Sequence, residues 1–318
     1  MATHPKYLWL NGEMKKWEDA NVHITAIGWS SVSAVFEGIR GYWNAEQEEL
    51  YVFRLREHAD RLMRSMRLMR MEEKFNRDQV VDACLTLLKE NDCREDTYIR
   101  PLAYFGGAVR AGFLGASEPD LLITTNPAPS HLTTGMTQTA QVSSYRRISE
   151  DVMPPRVKNL SNYRNSQLAS GEARLNGYDT AIILNPRGHV TEGPGACLFM
   201  VRDNVVTTPD LTSGILESIT RDAFLTLCHE TLGLRVEERN VDRTELYVAD
   251  EVFFAGTMAE VTPVTMIDHF KVGTGEIGPV TSRLDRLFND VVRGINPGYA
   301  AWRAPVGLRA LAGAPGDD

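Results

Sequence analysis

The order of apolar and polar residues changes its period along the chain, and each change predicts a new element. Apolar residues at 7–10 and at Met14 flank Asn11-Gly12, the dipeptide that most strongly favours a β-hairpin turn. A polar turn at 44–49 and an apolar run at 50–53 follow. The period then becomes helical, with one apolar stripe formed by Leu55, Ala59, Leu62, Met63, Met66 and Met69. The start of the chain therefore predicts strands followed by an amphipathic helix.

Strands and helices continue to the end of the chain, and strands are in the majority. Further helices are predicted at residues 80–88, 166–175, between Gly214 and Gly233, and at 284–292. Strands are predicted at residues 97–102, 121–125, 138–143, 180–184, 197–201, 205–207 and 252–254, and a further short strand reaches residues 191–193. Many connections are short enough for hairpins. We therefore predict an α+β fold with mainly antiparallel sheets covered by helices.

A run of prolines and glycines near residue 130 interrupts this pattern. A length of 318 residues is enough for two domains. We predict a small N-terminal α/β domain at residues 1–126, an interdomain linker at 127–138 and a large C-terminal domain at 139–318.

Composition and charge exclude several classes of protein. A net charge of -8 disfavours nucleic acid as a partner, because phosphate binding needs a basic surface. The four cysteines form no C-x-x-C pair, which argues against a disulfide framework or a zinc site and favours reduced thiols. No apolar run is long enough for a signal peptide or a membrane span. The sequence therefore predicts a cytoplasmic protein without a metal, and the missing G-x-G-x-x-G motif disfavours a Rossmann fold.

Four features of the second half could carry chemistry together. Lys158 precedes a helix, where partial burial can leave its amine neutral, as Schiff-base chemistry requires. Glu192 ends a strand beside glycines, residues 218–220 open a helix that suits a phosphate, and Gly256-Thr257 ends another strand. Each feature alone has a commoner interpretation, as a surface lysine, a turn carboxylate, a helix cap or a strand end. As an ordered set they supply what pyridoxal phosphate (PLP) needs: a lysine, a partner for the ring nitrogen and a phosphate anchor.

The sequence resembles the class IV aminotransferases, which have fold type IV of the PLP enzymes, and within them the branched-chain aminotransferases. The motifs that carry the resemblance are Phe36-Glu37-Gly38-Ile39-Arg40, Phe53-Arg54-Leu55-Arg56-Glu57-His58, Tyr98-Ile99-Arg100-Pro101, Asn162-Tyr163, Thr191-Glu192-Gly193, Ile219-Thr220-Arg221-Asp222 and residues 256–263. They are spread over nearly the whole chain. The resemblance implies a two-domain fold like that of D-amino acid aminotransferase, with the PLP lysine in the C-terminal domain.

The resemblance also implies a role for each matched residue. Lys158 would bind the cofactor covalently and move a proton between the substrate α-carbon and the cofactor. Glu192 would keep the pyridine nitrogen protonated, and Tyr163 would donate a hydrogen bond to the phenolate oxygen. The other implied cofactor-binding residues are Arg61, which binds the phosphate, and Ile219, Thr220, Gly256 and Thr257. The implied substrate-binding residues are Phe36, Tyr98, Arg100, Thr257 and Met258.

The chain departs from the branched-chain aminotransferases at several pocket positions. Ser31 stands where they carry a tyrosine, and Ala128 and His131 stand where the interdomain loop usually brings a tryptophan and a tyrosine. We expect all three to contribute to a wider or more polar substrate pocket. The loop at residues 106–110 also differs, and Arg110 is a candidate for a second anion-binding group.

The resemblance implies a transaminase that moves an amino group, most readily from branched-chain L-amino acids, to 2-oxoglutarate by a ping-pong mechanism. Two enzymatic alternatives stay open: a class IV transaminase that accepts (R)-primary amines or D-amino acids, and a lyase of the aminodeoxychorismate type. A non-catalytic relative would be indicated by loss of Lys158 or Glu192, and both are present. The expected partners are a small-molecule donor and acceptor and at least a second copy of the chain.

Overall fold

The computed structural model of the protein describes residues 4–24, 27–106 and 119–308. These residues form six α-helices: α1 (Ile27–Ser33), α2 (Leu55–Leu68), α3 (Arg77–Glu90), α4 (Asn162–Leu175), α5 (Ile219–Thr226) and α6 (Pro279–Val292). Short 3₁₀ turns lie at Trp17–Asp19, Leu211–Ser213, Arg243–Val248 and Ala300–Trp302, and a π-helical turn at Leu227–Thr231 follows α5. Within the described ranges, none of the helices has both the length and the apolar character to cross a membrane.

The same residues form seventeen strands in two sheets. Those of the first sheet are β1 (Tyr7–Leu10), β2 (Glu13–Lys16), β3 (Val35–Phe36), β4 (Ile39–Asn44), β5 (Glu49–Phe53), β6 (Thr97–Tyr104), β7 (Asp120–Pro127) and β17 (Arg303–Pro305). Those of the second are β8 (Gln138–Arg146), β9 (Thr180–Leu184), β10 (Val190–Glu192), β11 (Cys197–Arg202), β12 (Val205–Thr208), β13 (Arg235–Glu238), β14 (Glu251–Gly256), β15 (Glu260–Ile267) and β16 (Phe270–Lys271).

The first sheet has the strand order β17-β5-β4-β6-β7-β1-β2, with β3 paired to β6, and its described pairings are all antiparallel. Burial alternates along β6: Thr97, Ile99 and Ala103 are buried, whereas Tyr98 and Arg100 on the opposite face are half-exposed. This period of two gives the sheet one apolar face, on which α2 and α3 pack. The other face carries candidate site residues.

The second sheet contains a closed barrel. Its order is β10-β9-β8-β15-β14-β11-β12-β13, and the additional pairing of β10 with β11 closes the first six of these strands on themselves. Most pairs are antiparallel, and β8–β9, β8–β15 and β12–β13 are parallel. Phe199 and Phe253 stack with ring centroids 5.1 Å apart on one side of this sheet, where α5 and α6 add Phe224 and Phe288. The predicted α+β class with mainly antiparallel sheets is confirmed.

The chain divides into two compact units. Unit 1 comprises residues 1–130, Val157–Ser161 and 290–318, and unit 2 comprises residues 131–156 and 162–289. The chain first passes from unit 1 to unit 2 inside the linker predicted at 127–138. Unit 1 also includes the segment with Lys158, which the prediction placed in the C-terminal domain. The reason is backbone pairing, because Asn159 forms a β-bridge with Val35 of β3.

The sequence located most of these elements but not all of their ends. The hairpin at Asn11-Gly12 is present, with both residues at positive φ, as its turn requires. Helix α4 begins four residues before the predicted start at Ser166 and so includes Tyr163. The sequence pattern did not predict α1, β13 or β15.

The start of α3 gives a prediction about stability. The Asn76 side chain accepts from the Gln79 backbone, and the Gln79 side chain accepts from the Asn76 backbone, which together form a capping box. We expect Asn76→Ala to lower the free energy of unfolding by about 1 kcal/mol. Urea titration of both proteins measures the difference. Asp82→Ala, on an exposed position of the same helix, is the control; an equal loss there would mean that the cap contributes nothing.

Candidate active site

The segment around Lys158 is fixed in unit 1 by backbone hydrogen bonds to the edge of β3. The Phe36 N–H donates to the Lys158 carbonyl at 2.9 Å, and the Leu160 N–H donates to the Ala34 carbonyl at 2.9 Å. The buried Asn159 side chain accepts from the Ser161 backbone N–H at 2.7 Å. The position of the Lys158 α-carbon is therefore set by a sheet and not by an unpaired loop.

Two cations lie against the ring of Phe36. The Lys158 ammonium is 4.9 Å from the ring centroid, and the Arg100 guanidinium carbon is 5.2 Å from it. The Arg100 Nε is buried and has no hydrogen-bond partner among the described residues. Because a buried, unsatisfied N–H costs free energy, this guanidinium is prepared to bind an acceptor such as a carboxylate.

Tyr98 precedes Arg100 on the same face of β6 and packs against a glycine. A Cβ atom at Gly38 would collide with the Tyr98 hydroxyl. Gly38 therefore allows the tyrosine to lie directly against the backbone next to Phe36.

Beneath this face, Glu37 joins α2 to the strand that carries Phe36. Its fully buried carboxylate accepts from Arg61 Nε at 2.8 Å, from Arg61 Nη2 at 2.7 Å and from His58 Nδ1 at 2.7 Å. Burial alone would raise the pKa of Glu37, but the charge and hydrogen bonds of Arg61 and His58 lower it to about 2. Burial also lowers the pKa of His58. Glu37 is thus a permanent anion at neutral pH that orients Arg61.

A second buried arginine holds the loop that contains Ala128. Arg40 Nη2 donates to the Ala128 carbonyl at 2.5 Å and to the Pro129 carbonyl at 2.7 Å. The Ala128 N–H donates to the Asp96 carbonyl at 2.8 Å. This loop is therefore fixed at both its N–H and its carbonyl groups.

In unit 2, Glu192 lies at the end of β10 and is buried. An Arg147 Nη2–Glu192 Oε1 ion pair of 2.7 Å binds one carboxylate oxygen, and the Leu216 N–H donates to the other at 3.0 Å. Arg147 also donates to the Gly214 carbonyl at 3.3 Å. The carboxylate is thus tied to the loop that leads into α5, and its interpretation as an exposed turn residue is wrong.

Glycines allow the ends of two strands and the start of one helix in unit 2 to lie close together. A Cβ atom at Gly193 would lie 2.7 Å from the Phe254 ring, and one at Gly195 would lie 3.9 Å from the Tyr163 ring. A Cβ atom at Gly256 would lie 3.3 Å from the Gly195 carbonyl oxygen. The structure therefore places Tyr163, the turn after Glu192 and the end of β14 side by side.

Helix α5 begins beside this group. Ser218 is its N-cap and accepts from the Arg221 N–H at 3.2 Å. Ile219 and Thr220 are the first two helical residues, and both are buried. The first N–H groups of a helix point out of its start and favour an anion there.

The sequence model of the amino-transferase class IV family matches residues 34–267, well over half of the chain. The chain belongs to the class IV aminotransferases. A probable branched-chain-amino-acid aminotransferase of Aquifex aeolicus is 40% identical over 300 residues, which cover 94% of this chain and 96% of the relative. The branched-chain-amino-acid aminotransferase of Escherichia coli K12 is 38% identical and covers 93% of this chain and 96% of its own length.

Solved structures of this family are similar over nearly the full length. The branched-chain amino acid aminotransferase from Thermobaculum terrenum in its PLP form is 51% identical, with a TM-score of 0.93, and covers 96% of this chain and 99% of its own. The enzyme from Thermoproteus uzoniensis with norvaline is 37% identical, with a TM-score of 0.89, and covers 95% and 99%. The predicted fold of a class IV aminotransferase is confirmed.

Three further residues of this class IV aminotransferase were predicted to line the pocket: Ser31, Arg110 and His131. Ser31 is exposed on α1, donates to the Ile27 carbonyl at 2.5 Å and lines an apolar cavity of about 600 Å³ in unit 1. The lining of that cavity includes neither Phe36 nor Arg100, so a role of Ser31 in substrate binding stays a prediction. Arg110 lies outside the described residues. The His131 side chain contacts Glu260 and Ala259, a contact that the sequence did not predict.

Sequence reasoning also missed the residues that hold the candidates in place. Glu37 had one signal, a charge within an apolar run, but its partner was not evident. Arg40 belongs to a motif of the resemblance, but its role was not evident, and Arg147 had no signal, because nothing distinguishes a buried arginine from a surface arginine in one sequence. Arg61, Arg64, Arg67 and Arg70 were all compatible with a solvated helix face, and the structure buries Arg61 alone of these four.

Glu37 gives a prediction about acid stability. Because its pKa is lowered from 4.5 to about 2 in the folded protein, ionised Glu37 contributes stability that is complete above pH 4.5 and is lost as the pH falls toward 2. We expect Glu37→Gln to flatten the fall in unfolding free energy between pH values of about 5 and 3. Urea titrations at several pH values measure the slope, with the exposed Glu90→Gln as control. Equal slopes in wild type and Glu37→Gln would show that Glu37 is not the titrating group.

Proposed function

We propose that this protein is a PLP-dependent transaminase that moves the amino group of branched-chain L-amino acids to 2-oxoglutarate. The observation that carries the proposal is the ring of Phe36 with the Lys158 amine and the Arg100 guanidinium against it. An α-amino acid with an apolar side chain needs these three groups. Arg100 would bind the carboxylate, Phe36 would contact the side chain, and Lys158 would act at the α-carbon. The similarity to branched-chain enzymes over nearly the whole chain supports the substrate class.

Each unit contains residues that would hold the cofactor. In unit 1, Lys158 would bind PLP covalently and Arg61, oriented by Glu37, would bind its phosphate. In unit 2, the start of α5 at Ile219 and Thr220 would bind the phosphate, as would Gly256 and Thr257 at the end of β14. Tyr163 would donate to the phenolate oxygen. Bound PLP supplies an electron sink that stabilises negative charge at the substrate α-carbon.

The chain's own groups then move the proton. Lys158 Nζ, once released as a neutral amine, would take the proton from the substrate α-carbon and deliver it to the cofactor carbon that receives it. The backbone hydrogen bond from Phe36 to the Lys158 carbonyl would hold the lysine next to Phe36, the residue proposed to contact the substrate side chain. Arg100 and Tyr98, with Thr257 and Met258, would fix the carboxylate so that the α-hydrogen faces Lys158.

Glu192 would keep the pyridine nitrogen protonated, and Arg147 is a positioning residue for it. The ion pair to Arg147 fixes one oxygen of this carboxylate. The Leu216 N–H fixes the second oxygen. A carboxylate held at both oxygens keeps its direction through the catalytic cycle.

We also propose that the chain assembles at least as a homodimer, with the second copy covering an apolar surface of unit 1. Around the 600 Å³ cavity, Trp17, Val22 and Ile27 are between 37% and 47% exposed. Exposed apolar groups in such a cluster favour burial against a partner. Light scattering tests the assembly, and a monomer at micromolar concentration would contradict it.

The cysteines support a reducing, cytoplasmic location, which we propose with the function. All four are free thiols. Burial raises the pKa of Cys84 and Cys228 to about 12 and that of Cys93 to about 11, so these thiols stay protonated and unreactive.

A donor screen with 2-oxoglutarate tests the substrate class. L-leucine, L-valine, D-alanine and (R)-1-phenylethylamine are compared by kcat/KM in the purified holoenzyme. We expect the two branched-chain L-amino acids to exceed D-alanine by about a hundredfold or more, because the wrong enantiomer cannot place carboxylate, side chain and α-hydrogen together. A higher value for the (R)-amine or for D-alanine would contradict the proposal and favour the expanded specificity left open by the sequence.

Lys158→Ala tests the catalytic amine. The variant should fold, because its backbone bonds do not need the side chain, but it should show neither the visible absorbance of covalently bound PLP nor turnover. Lys271→Ala, which changes an exposed lysine of unit 2, should retain both. Normal turnover by purified Lys158→Ala would assign the chemistry to another residue.

Arg100→Lys tests the carboxylate site, since it keeps the charge but loses the planar pair of donors. We expect KM for L-leucine and for 2-oxoglutarate to rise about tenfold to a hundredfold, the range of one charge-assisted hydrogen bond, with a smaller change in kcat. Steady-state kinetics with both substrates measures this. An unchanged KM for both would mean that Arg100 has only a packing role against Phe36.

A further inference from the structure

The hairpin between β14 and β15 has a strained residue at its end. Gly256 pairs with Glu260 across a turn formed by residues 257–259, and Glu260 has a φ of 44°. A glutamate in the left-handed region costs on the order of 1–2 kcal/mol. Its carboxylate is also completely buried. A buried charge on a strained backbone persists only where neighbouring groups bind it.

His131 is such a neighbour and contacts the turn at three points. Its backbone N–H donates to Glu260 Oε2 at 2.8 Å, and its ring Nδ1 lies 3.0 Å from the same oxygen. Its ring Nε2 lies 2.9 Å from the Ala259 carbonyl oxygen and 3.2 Å from the Thr262 hydroxyl. That hydroxyl donates its own hydrogen to the Ala259 carbonyl at 2.6 Å, so it presents a lone pair to the ring.

These partners occupy both nitrogens of the ring. Nε2 donates to the Ala259 carbonyl, because a carbonyl oxygen can only accept. Nδ1 lies at hydrogen-bond distance from the Glu260 carboxyl group. The ring is therefore bound to two residues of the hairpin at once.

Two further charged groups near His131 lie on α6. Asp285 and Arg286 line, with His131, a cavity of about 190 Å³ in unit 2. Asp285 accepts from the Thr133 N–H at 2.8 Å, and its pKa is raised, mainly by burial. The residues that follow His131 are therefore fixed to α6 while its ring is fixed to the turn.

We propose that His131 is a positioning residue that holds the turn at residues 257–259 in the shape needed to bind the substrate carboxylate. The clamp consists of His131, Glu260 and the Ala259 carbonyl. The clamp fixes Ala259, the residue after Met258, and Glu260, the strained residue that closes the turn. The part that concerns substrate rests on the proposed function, in which Thr257 and Met258 bind the carboxylate.

The clamp itself is tested on the apo-protein, without reference to activity. Nitrogen-15 NMR of histidine-labelled protein at neutral pH should show Nε2 of His131 protonated, with the signal assigned by its loss in His131→Phe. Hydrogen exchange of the peptide that spans residues 256–262 should be about tenfold faster or more in His131→Phe, because loss of about 1.4 kcal/mol of local stability gives that factor. An Nε2 without a proton, or unchanged exchange, would overturn the clamp.

The effect on substrate is tested by kinetics of the holoenzyme. His131→Phe should raise KM for L-leucine about tenfold while kcat changes less, and His131→Asn, which keeps one amide donor, should fall between this variant and wild type. His189→Phe is the matched control, because His189 also pairs with a carboxylate through Nδ1, at 2.9 Å from Asp242, but does not contact the turn.

The outcomes separate the clamp from the proposed function. A wild type that transfers no amino group from L-leucine would contradict the proposed function, while the NMR and exchange results would still decide the clamp. An equal rise in KM for His131→Phe and His189→Phe, or a fall in kcat at unchanged KM, would overturn the positioning role.

Discussion

Strand β3 is the constraint on which the candidate site of unit 1 depends. It is only two residues long, Val35 and Phe36, yet it is bonded on both edges. On one edge it pairs with β6, and on the other the Phe36 N–H donates to the Lys158 carbonyl. Lys158 is far from Phe36 in sequence, so only this pairing sets their separation. Each buried hydrogen bond of this kind would cost about 1–3 kcal/mol if one partner were left unsatisfied, which makes displacement of the Lys158 segment expensive.

Each unit also contains a buried carboxylate paired with an arginine. The carboxylate orients the arginine in one pair, and the arginine orients the carboxylate in the other. In unit 1, Glu37 orients Arg61, the residue proposed to bind phosphate. In unit 2, Arg147 orients Glu192, the residue proposed to bind the ring nitrogen. Such pairs contribute little net stability, because desolvation offsets much of their attraction. These pairs instead fix the orientation of the side chains, because a bidentate or doubly bound group has one preferred orientation.

The sequence predicted the elements well where the signal was local. The Asn11-Gly12 turn, the stripe of α2 and the strand of β6 each follow from one stretch of chain. Strand β15 was not predicted, although residues 260–267 are rich in β-branched residues. The return of the Lys158 segment to unit 1 could not be predicted either. It depends on pairing with β3, more than a hundred residues earlier, and no local pattern encodes a pairing of that range.

The same limit applies to the pocket. The resemblance implies that Ala128 and His131 stand where the branched-chain enzymes carry aromatic residues, and a smaller residue there suggests added space. Yet Ala128 is 7% exposed and Arg40 binds its carbonyl, so atoms of the described chain already cover its methyl group. An alanine in place of an aromatic residue at position 128 therefore does not by itself leave open space in the pocket.

His131 differs in another way, because an imidazole offers two ring nitrogens for hydrogen bonding where a tyrosine offers one hydroxyl. The described structure uses both nitrogens for the turn after β14. If that ring is committed to Glu260 and the Ala259 carbonyl, it is not available to bind a substrate, because both nitrogens already have partners. The substitution then changes how firmly the turn is held more than how wide the pocket is. Substrate preference in this chain should accordingly follow Phe36 and Arg100, whose positions β3 and β6 determine.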